Sequence, residues 1–231
     1  MIVATIRALK LHGGMEKAAL ANENVDALMA GYANLQKHIE NVQSFGVPAV
    51  VAINRFASDT DAEIAALTAA CKDAGARVAL ADVHAHGGEG ALELAAAVMD
   101  LVNGGTADFK PIYALDRPLS EKIETIATRI YGADGVTYTP KALREMDRLE
   151  KIGLGAVPIC MAKTQYSFSD DPSLRGRPTG FKIAVSSVTP SAGAGFVVAH
   201  TGDIMTMPGR GKRPAAEGMS LAADGTITGL F

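Results

Sequence analysis

Apolar positions between residues 22 and 44 recur at helical spacing: Val25, Leu28, Met29, Tyr32, Leu35, Ile39 and Val42. They predict a long amphipathic helix stopped by Gly46. Residues 49–53 (AVVAI) form a short continuous apolar run and predict a fully buried strand. Ser58, Asp59, Thr60 and Asp61 offer caps for a helix reaching about Ala74 and closed by Gly75. Residues 77–81 read as another strand. Gly87, Gly88 and Gly90 lead into a predicted helix over 91–102. Residues 119–131 predict an amphipathic helix with Ile123, Ile126 and Ile130 inward. A short strand is expected over 135–138. Pro140 suits the first position of the next helix, which runs to Ile152, and residues 157–160 read as a strand.

The chain opens on an apolar run, residues 2–6, read as a buried strand. Only Met1 precedes it, so further chain upstream is expected. The alternation of strands and helices predicts an α/β fold, a parallel sheet flanked by helices in the Rossmann-like manner. The pattern changes after about Lys163, where Gly and Pro become frequent. Residues 181–188 and 196–199 read as strands with no strong helix between them. Asp224-Gly225 is a hairpin-type turn signal. A smaller β-rich C-terminal subdomain is therefore expected.

Composition narrows the classes. Of 231 residues, 48% are hydrophobic and 20% charged, enough for a packed core. Net charge is −3, with no Trp and 5% aromatic residues, which argues against a nucleic-acid binder. No apolar window is long enough to span a bilayer, and the N-terminal apolar run is too short for a signal peptide. Cys71 and Cys160 lack CxxC spacing and sit in apolar sequence, so both are expected to be buried, reduced thiols of a cytoplasmic protein.

Candidate chemistry clusters after the predicted strands, where open α/β sheets bind ligands. Arg7, Lys10, His12, Gly13 and Gly14 follow the first strand, and their charges suit a phosphate or carboxylate. A solvent-facing basic turn fits the same residues. Asn54 could hydrogen-bond a polar ligand and Phe56 could stack on a flat ring, although on spacing alone Phe56 also fits ordinary core. His84 and His86, followed by Gly87 and Gly88, suit a polar heterocycle or an anion at a glycine-rich turn. No third ligand is spaced to make them a metal site. Lys141, Arg144, Arg148 and Lys151 share a helical face, but nearby acids make a solvated surface the better reading. Gly209, Gly211 and Lys212 do not make a phosphate loop, because GxxxxGK[ST] occurs nowhere in the chain.

Together, residues 3–14 (VATIRALKLHGG), 51–56 (VAINRF), 162–167 (AKTQYS), 203–209 (DIMTMPG) and 229–231 (GLF) resemble the formate–tetrahydrofolate ligase family from end to end. The resemblance implies ATP- and Mg²⁺-dependent ligation of formate to tetrahydrofolate through formyl phosphate, in a cytoplasmic homotetramer. It implies a pterin sandwich with Phe56 as one wall and His84 where the family usually has Trp. Ala57 stands where Pro is common. Asn54, Gly87 and Gly88 complete the expected folate side. Arg7, Lys10 and His12 are expected on the nucleotide side by the strand-end argument alone.

Family members are much longer, and their N-terminal part carries the phosphate loop. The resemblance thus covers a C-terminal portion: residues 1–44 as the tail of the nucleotide-binding domain, 45–170 as an α/β folate-side domain, 171–231 as a small C-terminal subdomain. The N-terminal half would come from the same polypeptide or a partner, and the chain alone would be inactive. No catalytic acid, base or nucleophile is assigned. The alternatives are a non-catalytic folate-binding or assembly module, and an unstable fragment exposing apolar surface.

Overall fold

The computed structural model describes residues 1–202 and 213–229. Strand β1 (Ile2–Ala4) gives way at once to helix α1 (Ile6–His12), where the sequence reading continues the strand to Ile6 and then a basic turn. The strand stops because Thr5 caps the helix, its side-chain oxygen accepting the Ala8 N–H at 3.2 Å. Ile6 and Leu9, three residues apart, then face the core. Helix α2 (Val25–Gln43) crosses α1 with the two backbones in contact. A Cβ on Gly13 would lie 1.8 Å from the Ala27 carbonyl oxygen, and one on Gly31 would lie 1.8 Å from that of Leu9. Only glycine permits this crossing.

Strand β2 (Val50–Asn54), helix α3 (Asp61–Asp73) and strand β3 (Arg77–Ala81) follow. The strands form a parallel sheet in the order β1-β2-β3, with Ile2 opposite Val51 and Val50 opposite Arg77. β1 is thus an edge strand, and Val3 is exposed, not buried. Leu28, Ile39, Val51, Ile53 and Leu67 pack the sheet against α2 and α3. Helix α4 (Val83–His86), a 3₁₀ turn (Gly87–Ala91) and helix α5 (Leu92–Asn103) come next.

The second half builds another sheet. Helix α6 (Leu119–Thr125) continues as a π-helix (Ile126–Tyr131), followed by β4 (Val136–Tyr138), α7 (Pro140–Lys151), β5 (Ile159–Ala162), β6 (Ile183–Ser191) and β7 (Phe196–Thr201). Thr139 caps α7 by accepting from Ala142 N–H at 3.1 Å, and Pro140 occupies its first turn as expected. Sheet order is β4-β6-β7-β5. The outer pairs are parallel, while β6 and β7 form an antiparallel hairpin. The fold is therefore α/β with one parallel and one mixed sheet, since β4 and β5 join the later strands and do not extend the first sheet. Ile123, Ala142, Met146, Ile183, Val185 and Val197 pack its core. A last antiparallel pair, β8 (Ser220–Leu221) with β9 (Ile227–Thr228), closes over the predicted Asp224-Gly225 turn. The motif at 203–209 and the rejected phosphate loop lie outside the described residues, as do residues 230–231.

The two cysteines separate. Cys71 is fully buried and burial pushes its thiol up to about 12, whereas Cys160 is exposed on β5, contrary to expectation. The basic face of α7 is solvated, with Lys151 paired to Asp147 at 2.7 Å and Lys141 to Glu145 at 3.8 Å. Among the described residues no helix is long and apolar enough to cross a membrane.

A buried ion pair links α1 to α3. The Lys10 ammonium donates to Glu63 Oε1 and to the Asn22 carbonyl, each at 2.8 Å. Glu63 also accepts from Asn24 N–H at 2.9 Å and Thr60 N–H at 3.3 Å, the latter closing a capping box with Thr60. Both side chains are essentially inaccessible. Burial pushes the Glu63 carboxyl up. The Lys10 hydrogen bond, the two backbone donors and the Lys10 charge outweigh it, and the pKa is lowered.

Because the folded pKa of Glu63 lies below its ordinary 4.5, its stabilising contribution is complete above that value and is lost as pH falls through the folded pKa. Glu63→Gln should reduce unfolding free energy by about 3–5 kcal/mol, because it leaves a buried ammonium without its partner. Urea denaturation at pH 7 measures this, and a loss below about 1 kcal/mol would refute it. Adding Lys10→Met to Glu63→Gln should recover part of the loss.

Candidate functional site

A cavity of about 610 Å³ opens beyond the carboxyl ends of β2 and β3, lined by Asn54, Arg55, Phe56, Asp82, His84 and His86 together with Ala57 and Ala85. Its volume falls within the range of small-molecule sites. Asn54 is the last residue of β2, opposite Ala81 of β3. The next residue extends the ladder, Arg55 N–H donating to the Ala81 carbonyl at 3.0 Å. Phe56 is then fixed by a reciprocal turn. Its N–H donates to Asp59 Oδ2 at 2.8 Å, and Asp59 N–H donates to the Phe56 carbonyl at 3.0 Å. The Arg7 guanidinium stands 4.3 Å from the Phe56 ring centroid, a cation–π contact from α1.

Helix α4 lines the same cavity. The sequence reading makes residues 84–90 a glycine-rich lead into a helix, but His84, Ala85 and His86 form a short helix of their own. His86 N–H donates to the Asp82 carbonyl at 3.1 Å, and Asp82 N–H donates to the Gly90 carbonyl at 3.0 Å. A Cβ on Gly90 would fall 2.2 Å from Asp82 O, so this position must be glycine for the segment to fold back. Gly87, with φ +57°, makes the bend, but neither Gly87 nor Gly88 lines the cavity. Asp82 also lines the cavity and is no sequence candidate. Its place directly after β3 was the available signal. Its carboxylate stands 3.8 Å from Arg55 and 3.6 Å from His86 Nδ1.

The three basic candidates of α1 do not converge. Consecutive helical positions turn by about 100°, so Lys10 and His12 point about 200° apart. Arg7 backs Phe56. Lys10 is sealed against Glu63 and lines neither the Phe56 cavity nor the one beside His12. His12 accepts the Gly176 N–H on Nδ1 at 3.0 Å. It borders a separate cavity of about 230 Å³ with His38 and Lys163. There, burial and then the Arg175 charge lower the His12 pKa. Burial pushes the Lys163 amine down to about 8, while it donates to the carbonyls of Thr164, Ser167 and Ser169. No group of three His, Cys, Asp or Glu side chains among the described residues is placed to hold a metal.

The cavity is lined by one aromatic ring, two imidazoles, an amide, a guanidinium and one carboxylate. It suits a flat, polar heterocycle. Comparison with known proteins agrees with the sequence resemblance. The family model described as formate–tetrahydrofolate ligase matches residues 1–231. A formate–tetrahydrofolate ligase of Symbiobacterium thermophilum is 56% identical over 232 residues, covering 100% of this chain and 42% of the relative. One of Granulibacter bethesdensis is 54% identical over 231 residues, covering 100% of this chain and 40% of the relative. The chain therefore spans well under half the length of these relatives, yet over all of its own length it belongs to the formate–tetrahydrofolate ligase family.

Proposed function

We propose that this chain forms the tetrahydrofolate side of a formate–tetrahydrofolate ligase, the whole protein making 10-formyltetrahydrofolate from formate and tetrahydrofolate at the expense of ATP. The observation that carries the reading is the slot between Phe56 and the α4 histidines in a member of that family. Phe56, supported by Arg7 and Asp59, stacks on one face of the pterin, and His84 covers the other. Asn54 lies at the strand end to accept or donate a polar contact, and Gly87 and Gly88 shape the turn behind α4. The slot thus orients the substrate so that its amine meets the activated formyl group in a fixed geometry. The amine attacks the formyl carbon of formyl phosphate, a C–N bond forms, phosphate leaves and the nitrogen gives up its proton.

Among the described residues, those expected on the nucleotide side do not come together as an ATP–Mg²⁺ site. Lys10 and His12 are engaged within the fold, and no GxxxxGK[ST] occurs in 231 residues. No step through ATP is assigned to them. The nucleotide chemistry belongs, in this reading, to the remaining length of the relatives, in the same polypeptide or as a partner. In this reading residues 1–44 continue the nucleotide-binding domain, 45–170 supply the folate side and 171–231 the C-terminal subdomain of a cytoplasmic homo-oligomer, and the three are not separate folding units, since β1 pairs with β2 and β4 and β5 pair with β6 and β7. The absence of a phosphate loop from the sequence also favours a second reading, a folate-binding or assembly module without catalysis.

Anaerobic calorimetry of the 231-residue chain should show saturable tetrahydrofolate binding. Phe56→Ala should weaken it by about 1–3 kcal/mol, the worth of one aromatic stack on a heterocyclic base, and an unchanged affinity would remove Phe56 from the site. His84→Trp should tighten binding by about 0.5–1.5 kcal/mol through its larger ring, and no gain would exclude His84 as the second wall. With formate, ATP and Mg²⁺ the chain alone should give no 10-formyltetrahydrofolate. Supplying the remaining length of the Symbiobacterium relative in trans should start turnover, whereas binding that persists without turnover would favour the non-catalytic module.

A further inference from the structure

Asp82 is the one carboxylate among the residues lining the slot. Its side chain is 22% exposed, and among the described residues its oxygens accept no hydrogen bond. Arg55 and His86 stand 3.8 and 3.6 Å away, close enough to complement its charge but too far to hydrogen-bond it. Its backbone, in contrast, is fixed from both sides, by the Gly90 carbonyl and by His86 N–H. The glycine contact at Gly90 leaves the segment little room to shift. The other polar lining groups, Asn54, Arg55, His84 and His86, all carry N–H donors. A partly shielded acceptor pair, hydrogen-bonded to no donor among the described residues, therefore lines the slot.

A carboxylate presents two parallel acceptors and is matched by two N–H donors in a fork. The pterin ring carries such a fork on its pyrimidine edge, the ring N3–H beside the 2-amino group. We propose that Asp82 is a specificity-determining residue that accepts this donor pair and fixes the ring's orientation within the slot. The inference rests on the folate reading of the site. With N3–H and the 2-amino group on Asp82, the pterin ring is pinned in its own plane while Phe56 stacks on its face. The stack alone would leave the ring free to rotate in that plane.

The test compares tetrahydrofolate with an analogue whose 2-amino group is replaced by methyl, on the wild-type chain, Asp82→Asn and Phe56→Ala. Wild type should bind the analogue about 10–100-fold more weakly than tetrahydrofolate, the weight of a hydrogen bond to a charged acceptor. Asp82→Asn keeps one acceptor for N3–H but turns an amide donor toward the 2-amino group. It should weaken tetrahydrofolate about 10–100-fold and the analogue by less than about threefold. Equal losses for both ligands would mark Asp82 as merely structural and overturn the proposal. So would equal affinity of wild type for the two ligands, a comparison that needs no variant. If Asp82→Asn binds tetrahydrofolate normally while Phe56→Ala does not, the Asp82 assignment fails and the folate reading stands. If wild type binds neither ligand, both fall.

Discussion

Taking an ammonium and a carboxylate out of water costs several kcal/mol per ion, and it is tolerated only where the two meet with their remaining valences satisfied. The Lys10–Glu63 pair meets that condition through the Asn22 carbonyl and the N–H groups of Asn24 and Thr60. Lys10 lies in the last turn of α1, Asn22 and Asn24 in the lead and cap of α2, and Thr60 in the cap of α3. One contact thus ties the end of α1 to the starts of α2 and α3. Arg7 precedes Lys10 by one helical turn, and Phe56 lies in the β2–α3 connection that leads to Glu63 in the first turn of α3. The ion pair and the Arg7–Phe56 contact therefore join the same two segments. The frame and the slot share a clamp.

The slot itself depends on close backbone approach at its far wall. Asp82 leaves β3, turns through the short α4 and receives the chain again at Gly90. The fold-back brings His84, His86 and Asp82 into one cavity with Asn54, Arg55 and Phe56, residues about thirty positions earlier, because β2 and β3 are parallel neighbours in register. Parallel pairing places both strand ends on the same edge of the sheet, and that is the geometry in which such folds hold ligands.

Much of this was legible in the sequence. The period of apolar positions in α2, the Thr60 cap of α3, the Pro140 start of α7 and the turn at Asp224-Gly225 each state a local preference that packing reinforces. The positions of Asn54, Phe56 and His84 at or just past strand ends are legible for the same reason, since strand ends can be located from apolar runs. The start of α1 was misread because β-branched residues at 2–6 favour a strand, while the Thr5 cap and the Ile6/Leu9 spacing that end it are short-range signals of similar weight. Cys160 was misplaced because an apolar neighbourhood in sequence does not say which face of an edge strand meets solvent.

By itself the sequence determined the class of fold, the positions of most elements and the family, because these follow from periodicity, caps and motif identity, which are local or additive along the chain. Only the tertiary structure decided which strands share a sheet, that Lys10 is sealed in the core while Arg7 backs Phe56, and that the Asp82 carboxylate stands in the slot without a hydrogen-bond partner among the described residues. Those outcomes depend on contacts between residues tens of positions apart, Lys10 with Glu63 and Arg7 with Phe56. Spacing along a chain carries no record of which distant partner a side chain will meet.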